Sequence, residues 1–486
     1  MTKSRVRHLT SGLALALLLA APASAQTRLT LADAIKRATD TSEALAIARA
    51  GESRADADLQ RARSERMPQV SFAGSYDRTL ASEFSSALGS SGPVCAPLTV
   101  DATRPLGDRV AEIERAAGCG ALGQGFNFGD LPFGQRNIYR AAFSFSQAVY
   151  TGGRINAQRA QADLSRRNAT LVSSSAEALL ALEVTRAFYD AALSDRLAAI
   201  AESGYTQAAA AYDQTKVSFD AGRQPEFELL RAQVARDNQR PLMIRRRADR
   251  EVAYLRLRQL LELPATEALI LDIELTEDGI APPAPFVEAL ERASAPQPTD
   301  DRVSVQQAQV LVQVREAGVQ VARAERLPSV TLNSSLSPVG YPSGGVFPSF
   351  GDFRTNWTLG ATVQMPIFTG QRLKANELAA RADLSEAQAR LTQARELAEL
   401  DAATARQDLA AAQAVWEASA GTIQQAERAY QIAELRNREG LSTQLELSDS
   451  RLSLQVAQAN RAQAARDLQV ARARVALQPN LPAGVR

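Results

Sequence analysis

Apolar and polar positions alternate in four short stretches of the chain. Residues 70–77 read Val-Ser-Phe-Ala-Gly-Ser-Tyr-Asp, and residues 357–365 read Trp-Thr-Leu-Gly-Ala-Thr-Val-Gln-Met. A period of two places successive side chains on opposite faces of a strand, here an apolar face and a small or polar one. In the stretch at 138–151, this alternation assigns Val149 to the apolar face. The sequence therefore predicts strands at about 68–80, 138–151, 328–336 and 356–368.

Two long segments are rich in Ala, Gln, Arg, Glu and Leu and contain no proline. They cover residues 153–219 and 371–437, and each predicts one continuous helix about 100 Å long at 1.5 Å per residue. Gly204 and Gly421 interrupt them at nearly matching places, where we expect a bend or looser packing. Shorter helices are predicted at about 31–66, 226–261, 302–326 and 443–477.

The same motifs occur in both halves of the chain. Arg-Ser-Glu-Arg-Met-Pro-Gln-Val at 63–70 recurs as Arg-Ala-Glu-Arg-Leu-Pro-Ser-Val at 323–330, and Thr-Gly-Gly-Arg at 151–154 recurs as Thr-Gly-Gln-Arg at 369–372. Similarity at this distance indicates two copies of one unit. The predicted organisation is a first repeat at 26–261, an irregular Pro-rich junction at 262–300, a second repeat at 301–478 and a tail at 479–486.

The first 25 residues have the pattern of a secretory signal peptide. Lys3, Arg5 and Arg7 precede an apolar run, Leu9–Ala20, and Ala-Ser-Ala at 23–25 forms a cleavage site. The alternative is an uncleaved membrane anchor, but the apolar run is shorter than the roughly 20 residues that a spanning helix needs. No later segment is long and apolar enough to span a membrane, so we expect any entry into a membrane to be without transmembrane helices.

Composition excludes several function classes. Ala accounts for 91 of 486 residues while aromatic residues make up only 5%, which favours closely packed long helices over bulky globular cores. The only histidine, His8, lies in the predicted signal peptide, so Ser-His-Asp catalysis and His-ligated metal sites are excluded. The formal net charge of +1 does not suggest a nucleic-acid partner. No phosphate-binding loop or catalytic dyad occurs, and we expect no enzyme activity, cofactor or metal.

Four strands of about ten residues suit an outer-membrane sheet. An open four-stranded sheet in lipid would leave its edge amides unsatisfied, so the sheet must close with other copies of the chain. Two copies give eight strands and a filled interior, whereas three give twelve and room for a lumen, which favours a homotrimer. The alternative is a soluble pair of strands that caps a periplasmic coiled coil.

The repeated plan, the opening Leu-Thr-Leu-Ala-Asp-Ala-Ile at 29–35, the Thr-Gly-Gly-Arg and Thr-Gly-Gln-Arg junctions and the Gly-containing helical tips resemble the TolC family of outer-membrane efflux ducts. This resemblance covers nearly the whole mature chain. It implies an α+β membrane protein: a trimeric 12-stranded β-barrel in the outer membrane, continuous with a 12-helix α-barrel in the periplasm. It also implies that a periplasmic adaptor and an inner-membrane pump dock from below.

The resemblance assigns a pore gate to acidic residues just past the second helical tip. Glu446 and Asp449 stand at that place, three residues apart on one helix face. In a three-fold assembly their carboxylates would surround the axis and attract cations. The alternative is an ordinary solvated pair. The first-repeat equivalents are Glu228 and Arg231, so only Glu228 joins the predicted gate.

The resemblance also assigns adaptor docking to the turns that connect the helices. The predicted docking residues are Ala221, Gly222 and Arg223 at the first tip and Glu439, Gly440, Leu441 and Ser442 at the second. The alternative is that the glycines only form the turn, because glycine permits the left-handed conformation that reverses the chain.

The first strand pair carries an insertion of about 42 residues relative to the second. We expect residues 82–136 at the extracellular mouth, since outer-membrane barrels have their longer loops outside the cell. Cys95 and Cys119 lie in this segment and are expected to form a disulfide in an oxidising compartment. The alternatives are two free thiols or pairing between subunits.

Together these patterns predict a passive exit duct in the cell outer membrane, with a long periplasmic extension. It would carry substrates delivered by an inner-membrane pump and a periplasmic adaptor. One alternative is the outer-membrane component of type I protein secretion. A second, of another class, is a periplasmic coiled-coil scaffold or adaptor.

Overall fold

The computed structural model describes residues 27–81, 96–118, 136–273, 280–293, 298–342 and 345–485. The predicted signal peptide at 1–25 and both cysteines, Cys95 and Cys119, lie outside these residues. The chain divides into two compact units, which we describe separately: a helical unit, with described residues in 27–59, 160–316 and 381–485, and a sheet unit, with described residues in 60–159 and 317–380.

The same order of elements, a helix, two strands, a long helix and a returning helix, occurs in both halves of the chain. In chain order the elements are β1 (Thr27–Leu29), α1 (Leu31–Thr41), α2 (Glu43–Ser64), β2 (Gln69–Arg78), α3 (Leu106–Gly118), β3 (Asn137–Tyr150), α4 (Arg154–Asp220), α5 (Glu226–Leu260), β4 (Leu269–Leu271), α6 (Val287–Ala293), α7 (Val303–Ala324), β5 (Ser329–Gly340), β6 (Phe353–Gln364), α8 (Arg372–Arg438) and α9 (Gln444–Leu477).

The sheet unit contains a four-stranded antiparallel sheet in the order β2-β3-β5-β6. The two repeats meet at its centre, where Ser144 of β3 pairs with Ser335 of β5. Strands β2 and β6 are its edges, and each pairs along only one side within the described residues. An edge strand presents a row of unpaired backbone N–H and C=O groups.

One face of this sheet is apolar and exposed. The register brings Phe72 of β2 opposite Phe143 of β3, with ring centroids 4.8 Å apart, and Leu336 of β5 opposite Trp357 of β6. Trp357 is 73% exposed and Phe72 is 63% exposed. Apolar side chains of this size that face outward mark a surface that meets something other than water.

The strand ends differ from the predicted bounds for identifiable reasons. Strand β5 continues past Pro338, which pairs with Thr355, to Gly340. On its other side the register with β3 has no pair at Pro338, where proline has no N–H to donate. In β3 the register shifts between Ala148 and Tyr150, so that Tyr150 rather than Val149 pairs with Val330. The assignment of Val149 to the regular apolar alternation is therefore wrong, because an extra residue in one strand interrupts the period of two.

The long helices α4 and α8 each contain 67 residues and begin one residue later than predicted. The expected looser packing at Gly204 is wrong. Gly204 is buried, and the amide of Gln455 from α9 packs so closely that a Cβ on Gly204 would lie 1.4 Å from its Nε2. Gly421 has no such neighbour within 4 Å.

None of the described helices combines the length and the apolar character that crossing a membrane requires.

Two segments differ from their predicted secondary structure. The predicted helix at 31–66 is two helices, because Ser42 ends α1 with an extended ψ of 124° and its Oγ accepts a hydrogen bond from Leu45 N at 3.5 Å. The junction at 262–300 is not irregular throughout. It contains α6 and β4, and β4 pairs in parallel with β1.

The core of the helical unit lies where α1, α4, α5 and α9 meet. Leu182 and Phe188 of α4, Leu257 of α5 and Ala473 of α9 are each at most 1% exposed, and they belong to one continuous cluster. Ala is frequent in this cluster, which lets the helices approach closely. The Ala-rich composition therefore serves close helix packing here.

Candidate functional site

The first helical tip is a tight reversal at the end of α4. Arg223 N donates to Ser218 O at 2.8 Å, and Gly222 N donates to Phe219 O at 2.7 Å. Gly222 has a φ of +66°. This is the Schellman arrangement that satisfies the last helical carbonyls, and it favours glycine because the conformation is left-handed.

The second tip, at the end of α8, repeats this geometry. Leu441 N donates to Arg436 O at 2.7 Å, Gly440 N donates to Asn437 O at 3.0 Å, and Gly440 has a φ of +73°. Asn437 also donates through Nδ2 to Ser442 O at 3.2 Å. The two repeats thus form the same turn, and the second has an additional side-chain bond.

A buried polar cluster joins the two tips within one chain. Gln444, the first residue of α9, donates through Nε2 to Thr215 Oγ1 of α4 at 2.6 Å and to Asn437 Oδ1 of α8 at 3.4 Å. The exposed fractions of Thr215, Gln444 and Asn437 are only 2%, 4% and 8%. Buried amides and hydroxyls are stabilising only when they are paired, so this cluster holds α4, α8 and α9 in one arrangement. The sequence does not predict this cluster, because the contact between Gln444 and Thr215 joins residues 229 apart and leaves no local signal.

The three predicted gate residues have different surroundings. Glu446 and Asp449 are exposed on the first turns of α9, and Thr443 caps this helix by accepting a hydrogen bond from Glu446 N at 3.3 Å. Glu228 is half-buried, and its Oε2 accepts a hydrogen bond from Gln444 N at 3.4 Å. The carboxylate of Glu228 thus lies at the N-terminus of α9, where the helix dipole favours negative charge.

The predicted docking residues form the surface of the two turns. Leu441 is 69% exposed, and Ser442 is half-buried and donates through Oγ to Ala433 O at 3.4 Å. The remaining predicted docking residues are all exposed: Ala221, Gly222, Arg223, Glu439 and Gly440.

Within the part of the chain that the structure describes, no group of three or more His, Cys, Asp or Glu residues could hold a metal ion.

Residues 299–478 match the model of the family described as outer membrane efflux protein. This segment coincides with the predicted second repeat, at 301–478, and its motifs recur in the first. A comparison with curated proteins finds no match.

Solved structures with the same fold cover nearly the whole chain. The outer membrane protein VceC from Vibrio cholerae aligns with a TM-score of 0.68 at 18% identity, over 92% of this chain and 96% of that one. The CmeC outer membrane channel from Campylobacter jejuni aligns with a TM-score of 0.68 at 14% identity, over 94% and 87%. The MtrE outer membrane channel from Neisseria gonorrhoeae aligns with a TM-score of 0.67 at 18% identity, over 93% and 89%.

The antiparallel sheet with an apolar outer face and the two 67-residue helices therefore define the fold of an outer-membrane channel. With the family match across the second repeat, the resemblance to the TolC family of outer-membrane efflux proteins is confirmed.

Proposed function

We propose that the protein is the outer-membrane exit duct of a tripartite efflux system. It conducts substrates passively after an inner-membrane pump and a periplasmic adaptor have delivered them, and it performs no catalysis itself. The observation that carries this proposal is the sheet unit, in which large apolar side chains are exposed on one face of a sheet whose other face is small and polar. That arrangement suits lipid outside and water inside.

The opposite face of the sheet supports a water-filled interior. It carries Ser144 of β3, Ser335 of β5 and Thr358 of β6, which are opposite one another in the register. Small hydroxyl side chains leave space for water and solutes along the inner wall of a channel. They do not make the contiguous apolar surface that would bury the sheet against another soluble domain.

The unpaired edges support an assembly of several copies, and we propose a homotrimer. In lipid, β2 and β6 must each pair with a neighbouring chain to satisfy their backbone groups, and three copies give a lumen. The returning helices carry matching exposed apolar seams. Phe227 and Val234 of α5 are 63% and 59% exposed, and Leu452 and Val456 of α9 are 54% and 50% exposed.

The gate is proposed at Glu446 and Asp449, whose carboxylates are exposed and free to line an axis. Glu228 contributes to the gate by holding the start of α9 through Gln444 N. Its negative charge strengthens this contact because it lies at a helix N-terminus. Opening the tip would therefore require this contact to break, or Glu228 and Gln444 to move together.

The adaptor is proposed to dock on the turn surfaces, with Leu441 as the apolar contact and Arg223 and Glu439 as charged contacts around it. Most of the Leu441 side chain is exposed and available for a contact with another protein. Replacing Leu441 with Asp should abolish copurification of the adaptor while leaving the channel assembled. Val415→Asp, at an apolar residue of α8 that is 58% exposed, serves as the control.

The experiment that tests the duct is fractionation followed by conductance. We expect the mature protein in the outer membrane, three copies per detergent-solubilised particle by native mass spectrometry, and ion-conducting channels in planar bilayers. A protein recovered only from the soluble periplasm, with no conductance, would contradict the duct and favour the scaffold. The pump and adaptor that copurify would identify the class of cargo.

A further inference from the structure

Helix α9 buries three arginines along the face that it packs against its neighbours. Arg451, Arg461 and Arg474 are 4%, 6% and 9% exposed. A buried guanidinium is costly unless its charge and its N–H groups have partners. The three positions therefore allow a direct comparison of how each charge is accommodated.

Two of these arginines have clear partners. Arg461 donates to Ser419 Oγ at 2.9 Å and stacks over the Trp416 ring, with its guanidinium carbon 3.0 Å from the ring centroid. Arg474 forms an ion pair with Asp408 at 2.6 Å. Both charges are thus accommodated within the chain.

Arg451 differs from both. Its Nε has no hydrogen-bond acceptor among the described residues, and it lines a cavity of about 200 Å³ between α4, α8 and α9. Burial lowers the pKa of Arg451, yet an arginine stays charged under ordinary conditions. A buried, charged donor therefore borders an open space.

The other groups around the cavity do not neutralise this charge. Glu434 and Arg438 form an ion pair with each other at 2.8 Å, and the residues that α4 contributes to the lining are uncharged. The cavity therefore has one unbalanced positive charge, which matches one negative charge.

Neutral donors are also available. Tyr430 lines the same cavity, and burial, followed by the nearby Glu434 carboxylate, raises the pKa of its phenol. The phenol therefore remains protonated and can donate its O–H. The side-chain amides of Gln207 and Gln214 border the same space. Anions in proteins are bound by such a combination of a guanidinium with hydroxyl and amide donors.

We infer that this cavity is a binding site for a small monoanion of halide size, held by Arg451 with Tyr430 as a second donor. A volume of about 200 Å³ accommodates such an ion together with several waters, since one water occupies about 30 Å³ of liquid. The bound ion would connect α9 to α8 about 10 Å from the start of α9, seven residues along the helix at 1.5 Å per residue. This inference does not depend on the proposed transport function.

The test uses bromide, which substitutes for chloride and can be located by its anomalous scattering. Crystals of the assembled full-length protein in detergent are grown in sodium bromide. We expect an anomalous peak beside the Arg451 guanidinium in every copy of the chain. Absence of that peak at saturating bromide would overturn the inference without any variant having to fold, and would leave the proposed duct untouched.

Two variants test the role of the arginine itself. Arg451→Gln should lose the peak, and its thermal unfolding midpoint should no longer rise with bromide. Arg428→Gln removes an exposed arginine from α8 two residues before Tyr430 and should keep both the peak and the rise. A peak that persists in Arg451→Gln would overturn the assignment.

Discussion

Single glycines occur at nearly matching places in the two long helices, but their surroundings differ. At Gly204 the amide of Gln455 occupies the space that a Cβ would need, whereas no atom lies within 4 Å of a Cβ at Gly421. The first glycine therefore permits close packing with α9. The second has no packing partner among the described residues of one chain, and glycine there only weakens the helix.

This difference predicts that glycine-to-alanine substitution changes the free energy of unfolding differently at the two positions. Gly421→Ala should raise the free energy of unfolding by up to about 1 kcal/mol, the difference in helix propensity between the two residues. Gly204→Ala gains the same propensity but displaces the amide of Gln455 from its contact with Gln239, so it should be less stable than Gly421→Ala. Thermal unfolding of the two variants measures the difference, and equal midpoints would contradict the packing role of Gly204.

The buried polar cluster at the two tips predicts that a single substitution lowers the free energy of unfolding. Gln444→Ala removes the bond to Thr215 and leaves buried polar atoms unpaired, which costs about 1–3 kcal/mol. Gln425→Ala, the same change at an exposed site of α8, should stay within about 0.5 kcal/mol of the wild type. Denaturant unfolding compares the two variants. Equal stabilities would show that the buried polar cluster does not stabilise the tips.

Tyr189 predicts a dependence of stability on alkaline pH. Burial raises the pKa of its phenol from 10.0 to about 12, and the nearby Arg472 lowers it by less. The folded state therefore keeps a proton that the unfolded state loses above pH 10, so this contribution is complete below pH 10 and is lost towards pH 12. Tyr189→Phe should show a shallower fall of the unfolding midpoint between pH 10 and pH 12. Parallel curves for the two proteins would contradict this assignment.

At the scale of elements, the two faces of β6 predict different tolerance to charge. Leu359 is 71% exposed on the apolar face, and its neighbour Thr358 lies on the polar face opposite Ser335. Leu359→Arg should destabilise the inserted sheet by about 2–4 kcal/mol if it faces the middle of the bilayer, whereas an inward-facing charge is tolerated. Thr358→Arg is the matched control.

The readout is the amount of assembled protein in the outer-membrane fraction. We expect a large loss for Leu359→Arg and near-normal amounts for Thr358→Arg. Equal recovery of both variants would mean that the apolar face of the sheet does not contact lipid.

Element types were more predictable than element boundaries. The alternation at 70–77 reflects a physical requirement, since one face of a strand meets a different medium from the other. The bulge after Ala148 and the break at Ser42 were not predictable, because each depends on which strand or helix lies beside it. The short strand β4 escaped prediction for the same reason: it exists only through its pairing with β1.

At the scale of the whole molecule, the proposed gate predicts how the channel responds to multivalent cations. Each copy in a trimer would contribute Glu446 and Asp449, so trivalent lanthanum should block conductance. Glu446→Gln with Asp449→Asn should raise the half-blocking concentration by at least about tenfold, equivalent to about 1.4 kcal/mol of binding free energy. Unchanged block would exclude these two residues from the gate.

The matched control uses a pair with the same spacing elsewhere. Glu396 and Glu399 are also three residues apart and exposed, but they lie in the middle of α8. Glu396→Gln with Glu399→Gln removes the same charge and should leave the lanthanum block unchanged. A comparable loss in the control would show that total charge, and not the tips, controls the block.

The candidate site was only partly predictable. The glycines at 222 and 440 could be located because they recur in both repeats, and the acids at 446 and 449 because they follow the second glycine at the place that the family resemblance assigns to the gate. Gln444, Thr215 and Arg451 could not be located, because polar residues on a long helix look alike until the neighbouring helix is known. Their importance depends on burial, which is a property of the packed chain.

The repeat, the two long helices, the four strands with their two-sided pattern and the glycine turns are all readable from the amino-acid sequence. Each of these follows from local periodicity or from a backbone conformation that few residues can adopt. The pairing of β3 with β5, the contact of Gln444 with both long helices and the position of the Arg451 Nε without an acceptor among the described residues emerge only in the folded chain. These depend on contacts between residues far apart in the chain, where the local pattern carries no information about which atoms meet.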